Sequence, residues 1–360
     1  MTASEAVWLH GASVGDARAL GPLLDAARAE VPNRALLLTV GRETGRSAAR
    51  RWYPDLTVTT PPWRTSWSAG RFLDRHRIGL VLLEYLELWP GWMAAAAEAR
   101  CPVVVIDGRV TGRSLRIAPL LRRAAQRISL FCAQAPADAE GAVALGVAPE
   151  RVHVTGTGKH DRIGPPPLPG PDLLAALGAF DVVVGSLNTA ELDAATAAFA
   201  AFRGRVLWAP RELTCAPSIL RAGRRYGRSV GLRSAGAAQA DWAVLDTHGE
   251  LAAAYGLARA AVAGGTFCRR EGQNLVEAAA HGLPVVHGPR TAHVREEAEA
   301  LVGRGGHPVP DWGAAVARLE AIRAGRMAPG DPGPALVALR GAVARQMRLI
   351  RPFLEGVADR

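Results

Sequence analysis

The chain has 360 residues, 49% of them hydrophobic, and a formal net charge of +10. That length accommodates two domains with separate cores, and no run of 18 apolar residues offers a membrane-spanning helix. The opening MTASEAVWLH lacks a basic segment followed by an apolar stretch, so no secretory leader is expected. Cys101, Cys132, Cys215 and Cys268 are scattered without a CxxC pair, which speaks against a zinc site or a disulfide framework.

In chain order, WLHGASVGDARAL (8–20) runs from an apolar strand-like segment through glycine and serine into a helical segment that carries Asp16. ALLLTV (35–40), IGLVLLE (78–84), PVVVID (102–107), ISLFCAQ (128–134) and RVHVTGTG (151–158) follow as short apolar runs with alanine- and arginine-rich helical stretches between them. Continuous apolar runs alternating with helices predict buried parallel strands in a doubly wound sheet. GPPPLPGP (164–171) has five prolines in eight residues and predicts a linker. The rhythm restarts with DVVVGS (181–186), RVLWAP (205–210), WAVLDT (242–247), AAVAGGT (260–266) and PVVHGP (284–289). Leu336, Leu339, Val343, Met347, Ile350 and Leu354 then fall at helical spacing, predicting one amphipathic closing helix. The expected organisation is an N-terminal domain (1–163), a linker (164–171), a C-terminal domain (172–334) and a closing helix (335–360). Ligands of such folds sit beyond the C-terminal strand ends, here in a cleft between the halves.

The polar residues cluster just after the predicted strands. Asp16, Glu84, Glu87, Arg109, Arg113 and Lys159 do so in the first half, and Arg211, Glu250 and Glu277 in the second. Asp16 reads as a helix cap or as a base facing a ligand, and Glu84 as a strand-end surface charge or a site residue. Together they set both charge signs along the rims of two sheets, which suits a phosphorylated ligand and a proton transfer. Of 43 basic residues, all but Lys159 are arginine. A GC-rich genome explains the choice of arginine but not the positive excess, which suits phosphate ligands or an anionic membrane surface. No basic run is interleaved with aromatics, so nucleic acid is not expected as a partner.

GRETGRS (41–47) and TGTGKHD (155–161) lack the spacing of a phosphate loop, and neither HExxH nor GxSxG occurs. His281, His287 and His293 flank a predicted core strand and read as structural or surface histidines. No acidic pair with metal spacing stands out, so neither metal nor cofactor is expected. In GGTFCRREGQNLVEAAAHGLPVVHGP (264–289), glycines end a strand, and Gln273 and Asn274 open a helix carrying Glu277. A helix start offers N–H groups to a phosphate, and Glu277 one turn in can bond ribose hydroxyls. This arrangement recurs in the nucleotide half of GT-B glycosyltransferases.

The ordered motifs ASVGD, EYLELWP, DGRVTGRS, AQAPADAEGAVALG, VTGTGKHD, APR, DTHGELAAAYGLA and AGGTFCRREGQNLVEAAAHGLPVVHGP resemble those of the 3-deoxy-D-manno-octulosonic acid (Kdo) transferases of lipopolysaccharide synthesis. The resemblance spans residues 7 to about 355. It implies an α/β GT-B fold, two Rossmann-like domains facing a central cleft, and an inverting transfer of Kdo from CMP-Kdo to a lipid A precursor. It places the protein peripherally at the cytoplasmic face of the inner membrane. By motif, Asp16 takes the place of the catalytic base, and Glu84 and Lys159 match transition-state stabilisers. Pro210, Arg211, His248, Gly249, Glu250, Asn274, Leu275, Val276 and Glu277 match the CMP contacts. Ser13, Arg109, Arg113 and Ser186 are candidate contacts to donor or acceptor. The family has glutamate where this chain has Asp16, and its Ser-Thr-His-Glu-Gly-Glu segment appears here as SLNTAEL (186–192). Its Pro-Arg-His is PRE and its Gly-His-Asn is GQN, its Pro-Tyr-Asp segment is missing, and the N-terminal hydrophobic anchor of many members is absent. A GT-B enzyme with another nucleotide sugar or acceptor, and a catalytically silent binding relative, remain the alternatives.

Overall fold

The computed structural model describes residues 5–269 and 274–356. It contains two compact units. One comprises the described residues up to Arg162 together with those from Arg340 onward; the other is Ile163–Leu339.

The first unit is built on strands β1 (Ala6–Gly11), β2 (Leu36–Val40), β3 (Thr57–Thr59), β4 (Ile78–Glu84), β5 (Val103–Gly108), β6 (Leu130–Ala133) and β7 (Val152–Val154). All pairings are parallel, in the order β3-β2-β1-β4-β5-β6-β7. β1, β2, β4, β5 and β6 are buried along their whole length, because helices cover both faces of a parallel sheet and leave no place for alternation. One face packs Leu20, Leu23, Leu24 and Ala49; the other packs Leu73, Trp92, Met93 and Ala124. The order of connection reverses between β1 and β4, and the loops there diverge.

The second unit repeats the scheme with β8 (Phe180–Leu187), β9 (Val206–Pro210), β10 (Val230–Leu232), β11 (Trp242–Val244), β12 (Ala258–Ala263), β13 (Val285–His287) and β14 (Gly306–Pro308). Its order is β10-β11-β9-β8-β12-β13-β14, again all parallel, with the reversal between β8 and β12. Trp208 and Trp242, with ring centroids 4.9 Å apart, lie fully buried beneath it.

Every strand expected from an apolar run is present. Three others were not expected: β3, β10 and β14. Each has three residues and lies at a sheet edge, where one flank is unpaired and a long apolar run is unnecessary. β14 includes Pro308, which an edge tolerates.

The six apolar positions from Leu336 to Leu354 do not form one helix. Helix Gly333–Leu339 ends before Gly341, whose φ of +84° is left-handed, and a second helix runs Ala342–Gly356. Leu336 joins a core of the second unit, while Val343, Met347, Ile350 and Leu354 join a core of the first. Burying those four side chains is worth roughly 6–12 kcal/mol before the entropy of ordering them. The returning helix is therefore part of the first domain. Residues 164–170 of the proline-rich segment form no helix or strand, and Pro171 opens helix Pro171–Leu177. Among the described residues, no helix is long and apolar enough to cross a membrane.

Candidate active site

In the first unit, β1 ends at Gly11, and Ser13 starts helix Val14–Ala19. The cap is Ser13, not Asp16: its Oγ accepts the Asp16 N–H at 3.3 Å. Asp16 sits at the third helical position and answers with its side chain. Its Oδ2 accepts the N–H groups of Ala12 and Ser13, both at 2.8 Å, closing a capping box. A Cβ on Gly11 would lie 2.9 Å from the Asp16 Cβ, so the turn requires glycine. Both bonds fall on Oδ2. The half-buried carboxylate is thus oriented by its own loop through Oδ2.

Glu84 closes β4, the neighbour of β1 at the reversal. It is 1% exposed and is no surface charge. Its Oε1 has no hydrogen-bond partner among the described residues. Burial, then the carboxylates of Asp107 and Asp16, hold its pKa well above the usual range. Burial thus disfavours the charged form of Glu84.

Asp107, near the end of β5, is buried at a positive φ of 48°. Its carboxylate accepts the Thr157 hydroxyl at 2.8 Å, the Gly158 N–H at 2.9 Å and the Gln346 amide at 2.6 Å. Burial pushes its pKa up, while Gly158, Thr157, Gln346 and Lys159 pull it down. Asp107 thereby holds the short 3₁₀ turn Gly158–Arg162, which carries the half-buried Lys159. Asp161, on the same turn, accepts the N–H groups of Gly341 and Val343, the latter at 2.6 Å, and ties down the returning helix. Tyr85, at φ 57°, is the common neighbour. After burial, the carboxylates of Glu84, Asp107 and Asp16 raise its pKa and Arg109 lowers it. Asp16, Glu84, Asp107, Lys159 and Arg109 are thus gathered at one strand-end rim. Arg113 stands exposed on helix Gly112–Arg116.

Beside this group, Glu87 is half-buried and accepts the Trp89 Nε1–H at 2.9 Å. Its carboxylate lies 4.0 Å from His10 Nε2. His10 is buried on β1, and burial lowers its pKa to about 4 against the opposing Thr39 bond. The imidazole is neutral near pH 7.

In the second unit, β9 ends at the buried Pro210, and the Arg211 N–H donates to the Leu187 carbonyl at 2.9 Å, leaving the Arg211 side chain exposed. Ser186 adopts a positive φ of 54° where β8 ends. His248 and Gly249 are exposed, the latter at φ +85°. Glu250 pairs with Arg233 at 2.9 Å and with the Thr247 hydroxyl. Burial works to raise its pKa, but Thr247 and Arg233 leave it below the usual value.

The start of helix Val276–Ala280 differs from expectation. Its N–H groups are not all available to a phosphate. The Asn274 Oδ1 accepts those of Val276 and Glu277 at 2.9 and 3.3 Å, and its Nδ2 donates to Glu277 Oε1 at 2.9 Å. Leu275 and Val276 are buried, so only their backbones can meet a ligand. Gln273 lies outside the described residues.

Two residues that the motifs contained were not singled out in the sequence. Asp107 stands in DGRVTGRS, with the signal that marked Glu84, an acid at the end of an apolar strand; Glu191 stands in SLNTAEL, four residues beyond β8 in the 3₁₀ turn Thr189–Glu191, where no such signal marks it.

Comparison with known proteins follows from this geometry. The family described as 3-deoxy-D-manno-octulosonic-acid transferase (kdotransferase) matches residues 1–162. The 3-deoxy-D-manno-octulosonic acid transferase of Bordetella pertussis is 30% identical over 327 residues, covering 83% of this chain and 74% of that one. The Haemophilus influenzae protein of the same description is 25% identical, covering 98% and 88%. Among solved structures, a glycosyltransferase from Rickettsia africae aligns with a TM-score of 0.68 at 9% identity, covering 98% of this chain and 99% of that one. The Anabaena protein HepE, solved with UDP and glucose, aligns with a TM-score of 0.64 at 14% identity, covering 98% and 100%. These two likenesses concern the fold. The chain belongs to the 3-deoxy-D-manno-octulosonic acid transferase family and is a glycosyltransferase of GT-B fold.

Proposed function

We propose that the protein transfers Kdo from CMP-Kdo to a lipid A precursor, with inversion, in lipopolysaccharide synthesis. The observation that carries this reading is the rim of the first unit, where an oriented Asp16 stands with a buried Glu84 and the chain's single lysine, in a member of this family. Asp16 takes the proton from the acceptor hydroxyl as its oxygen attacks the anomeric carbon. Attack on the face opposite the leaving CMP inverts that carbon. Glu84, whose Oε1 has no protein partner among the described residues, faces the sugar, and Lys159 neutralises the sugar carboxylate or the departing phosphate. Ser13 and Arg109 contact the acceptor or the sugar, with Arg113 further out.

On the second unit, Arg211 and Ser186 meet the CMP phosphate. Glu277 and Glu250 accept from ribose or base, and His248, Gly249, Pro210 and the backbone of Asn274–Val276 line the nucleotide. The departing CMP is already charged, so the scheme invokes no metal.

The acceptor is a lipid, and the first unit exposes apolar side chains beside arginines. Trp63 and Trp67 are 83% and 71% exposed, and Leu120 is 76% exposed. Arg64 stacks on Trp89 at 3.4 Å and Arg71 on Trp67 at 5.1 Å. Such a surface suits an anionic leaflet, and we place the protein peripherally at the cytoplasmic face of the inner membrane.

A second reading, a silent binding relative, is favoured by Asp16 itself. It is one methylene shorter than the family's glutamate and already bonded to its own loop. A transfer assay with CMP-Kdo and a lipid IVA-like acceptor, paired with calorimetric titration of CMP, UMP and UDP, decides. CMP-selective binding with turnover supports the proposal. Binding without turnover selects the silent relative, and preference for UDP moves the donor.

A further inference from the structure

The second unit contains a buried acid that the mechanism above does not use. Glu191 is 2% exposed, so no ligand reaches it. Three backbone N–H groups converge on its carboxylate. Asn188 and Gly265 donate to Oε2 at 3.0 and 2.7 Å, and Phe267 donates to Oε1 at 2.9 Å. Asn188 belongs to the loop after β8; Gly265 and Phe267 belong to the loop after β12. These strands flank the reversal of the sheet, the place where the loops of a doubly wound fold part and a ligand crevice opens.

The surroundings tighten the clamp. A Cβ on Gly264 would lie 2.6 Å from the Ser186 carbonyl, so the two loops touch backbone to backbone. Thr266 donates to the Ala263 carbonyl at 2.6 Å and accepts the Gly288 N–H at 2.8 Å, which adds the loop after β13. Phe267 stacks on Trp312 at 4.2 Å. The loop that Glu191 anchors follows directly on Ser186 and Leu187, the last residues of β8, and the Leu187 carbonyl receives the Arg211 N–H. A buried carboxylate is retained at a cost unless donors compensate it, and here all the donors are backbone groups of strand-end loops.

The geometry points to Glu191 as a positioning residue of the nucleotide site: without touching the ligand, it fixes the loops after β8 and β12 so that Ser186 and Arg211 present to the phosphate. The inference rests on the nucleotide-sugar reading of this unit but not on the identity of the base.

The test is Glu191→Gln in the full chain. The shape is kept, while an NH₂ group is set against a backbone N–H. The nucleotide used is whichever of CMP, UMP and UDP the wild type binds by calorimetry. The expected result is affinity weakened at least about tenfold and a donor KM raised by a similar factor, with kcat within about threefold. Amide exchange should accelerate at Gly265 and Phe267 but not in β9 or β11. Should Glu191→Gln fail to fold, Asn188→Ala tests the same loop more gently. It removes the side-chain acceptor of the Ala190 N–H, bonded at 3.1 Å, and of the Glu191 N–H in the capping box, and should weaken binding about threefold. Wild-type affinity in the variant that folds overturns the inference, as does faster exchange spread over the whole unit. Preference of the wild type for UDP refutes the CMP reading and leaves Glu191 tested; binding of none of the three overturns both.

Discussion

The strand-end rims of the two units are built on the same topology and equipped differently. The first gathers side chains. Asp16, Glu84, Asp107 and Lys159 are buried or half-buried, and their electrostatics are coupled. The second relies on backbone, with loops pinned by Glu191 and Thr266 and an exposed Arg211. Burial makes charge interactions strong and pKa shifts large, which suits a proton transfer. Backbone N–H groups and a solvated guanidinium bind a phosphate without such shifts. On the proposed reading, doubling the fold separates chemistry from binding.

Variants on each rim can break that contrast. Asp16→Asn removes the base while keeping the acceptor of the capping box. Turnover should fall about 1000-fold with CMP affinity unchanged, by single-turnover kinetics and calorimetry. Near-normal turnover would move the base elsewhere.

Next in size is a pH effect centred on His10 of the first unit. His10 has a folded pKa of about 4 against 6.5 when unfolded. The unfolded chain binds the proton first, so stability is full above pH 6.5 and falls as the pH drops toward 4. The loss reaches about 3 kcal/mol. Thermal melts of wild type and His10→Gln at pH 7 and 4.5 should show the wild type losing more. Parallel losses would assign acid sensitivity to other groups.

Arg211→Ala is the converse of the Asp16 variant. CMP affinity should weaken about 10- to 30-fold, as for loss of a bond to a charged group, with kcat changed less than threefold. A large kcat effect would make the second rim a partner in the chemistry.

The smallest effect expected is in the Trp63→Ala, Trp67→Ala double variant. Both side chains are exposed, so the thermal midpoint should hold while binding to vesicles containing anionic lipid weakens about fivefold. Unchanged vesicle binding would leave the membrane face to Leu115, Ile117 and Leu120.

Much of this was legible from local pattern. Buried parallel strands need unbroken apolar runs, so β1, β2, β4, β5 and β8 announced themselves, and the acids and arginines just beyond them marked both rims. Edge strands such as β10 carry no such run. The helical spacing from Leu336 to Leu354 was real, but Gly341 breaks it, and spacing cannot say that successive turns serve different cores.

The chain's sequence by itself determined the doubled α/β architecture, the strand-end position of the polar residues and the family, because each is written in short stretches of neighbouring residues. Only the tertiary structure decided what those residues became. Ser13 took the cap and left Asp16 a loop-bound carboxylate. Glu84 was held well above the usual carboxylate range by burial first, and then by Asp107 at the end of β5 and Asp16 on the first helix. Asn274 claimed the N–H groups expected for a phosphate, and Glu191 vanished beneath two loops. Desolvation and charge coupling depend on which segments meet in space, and that is a property of the packed sheet.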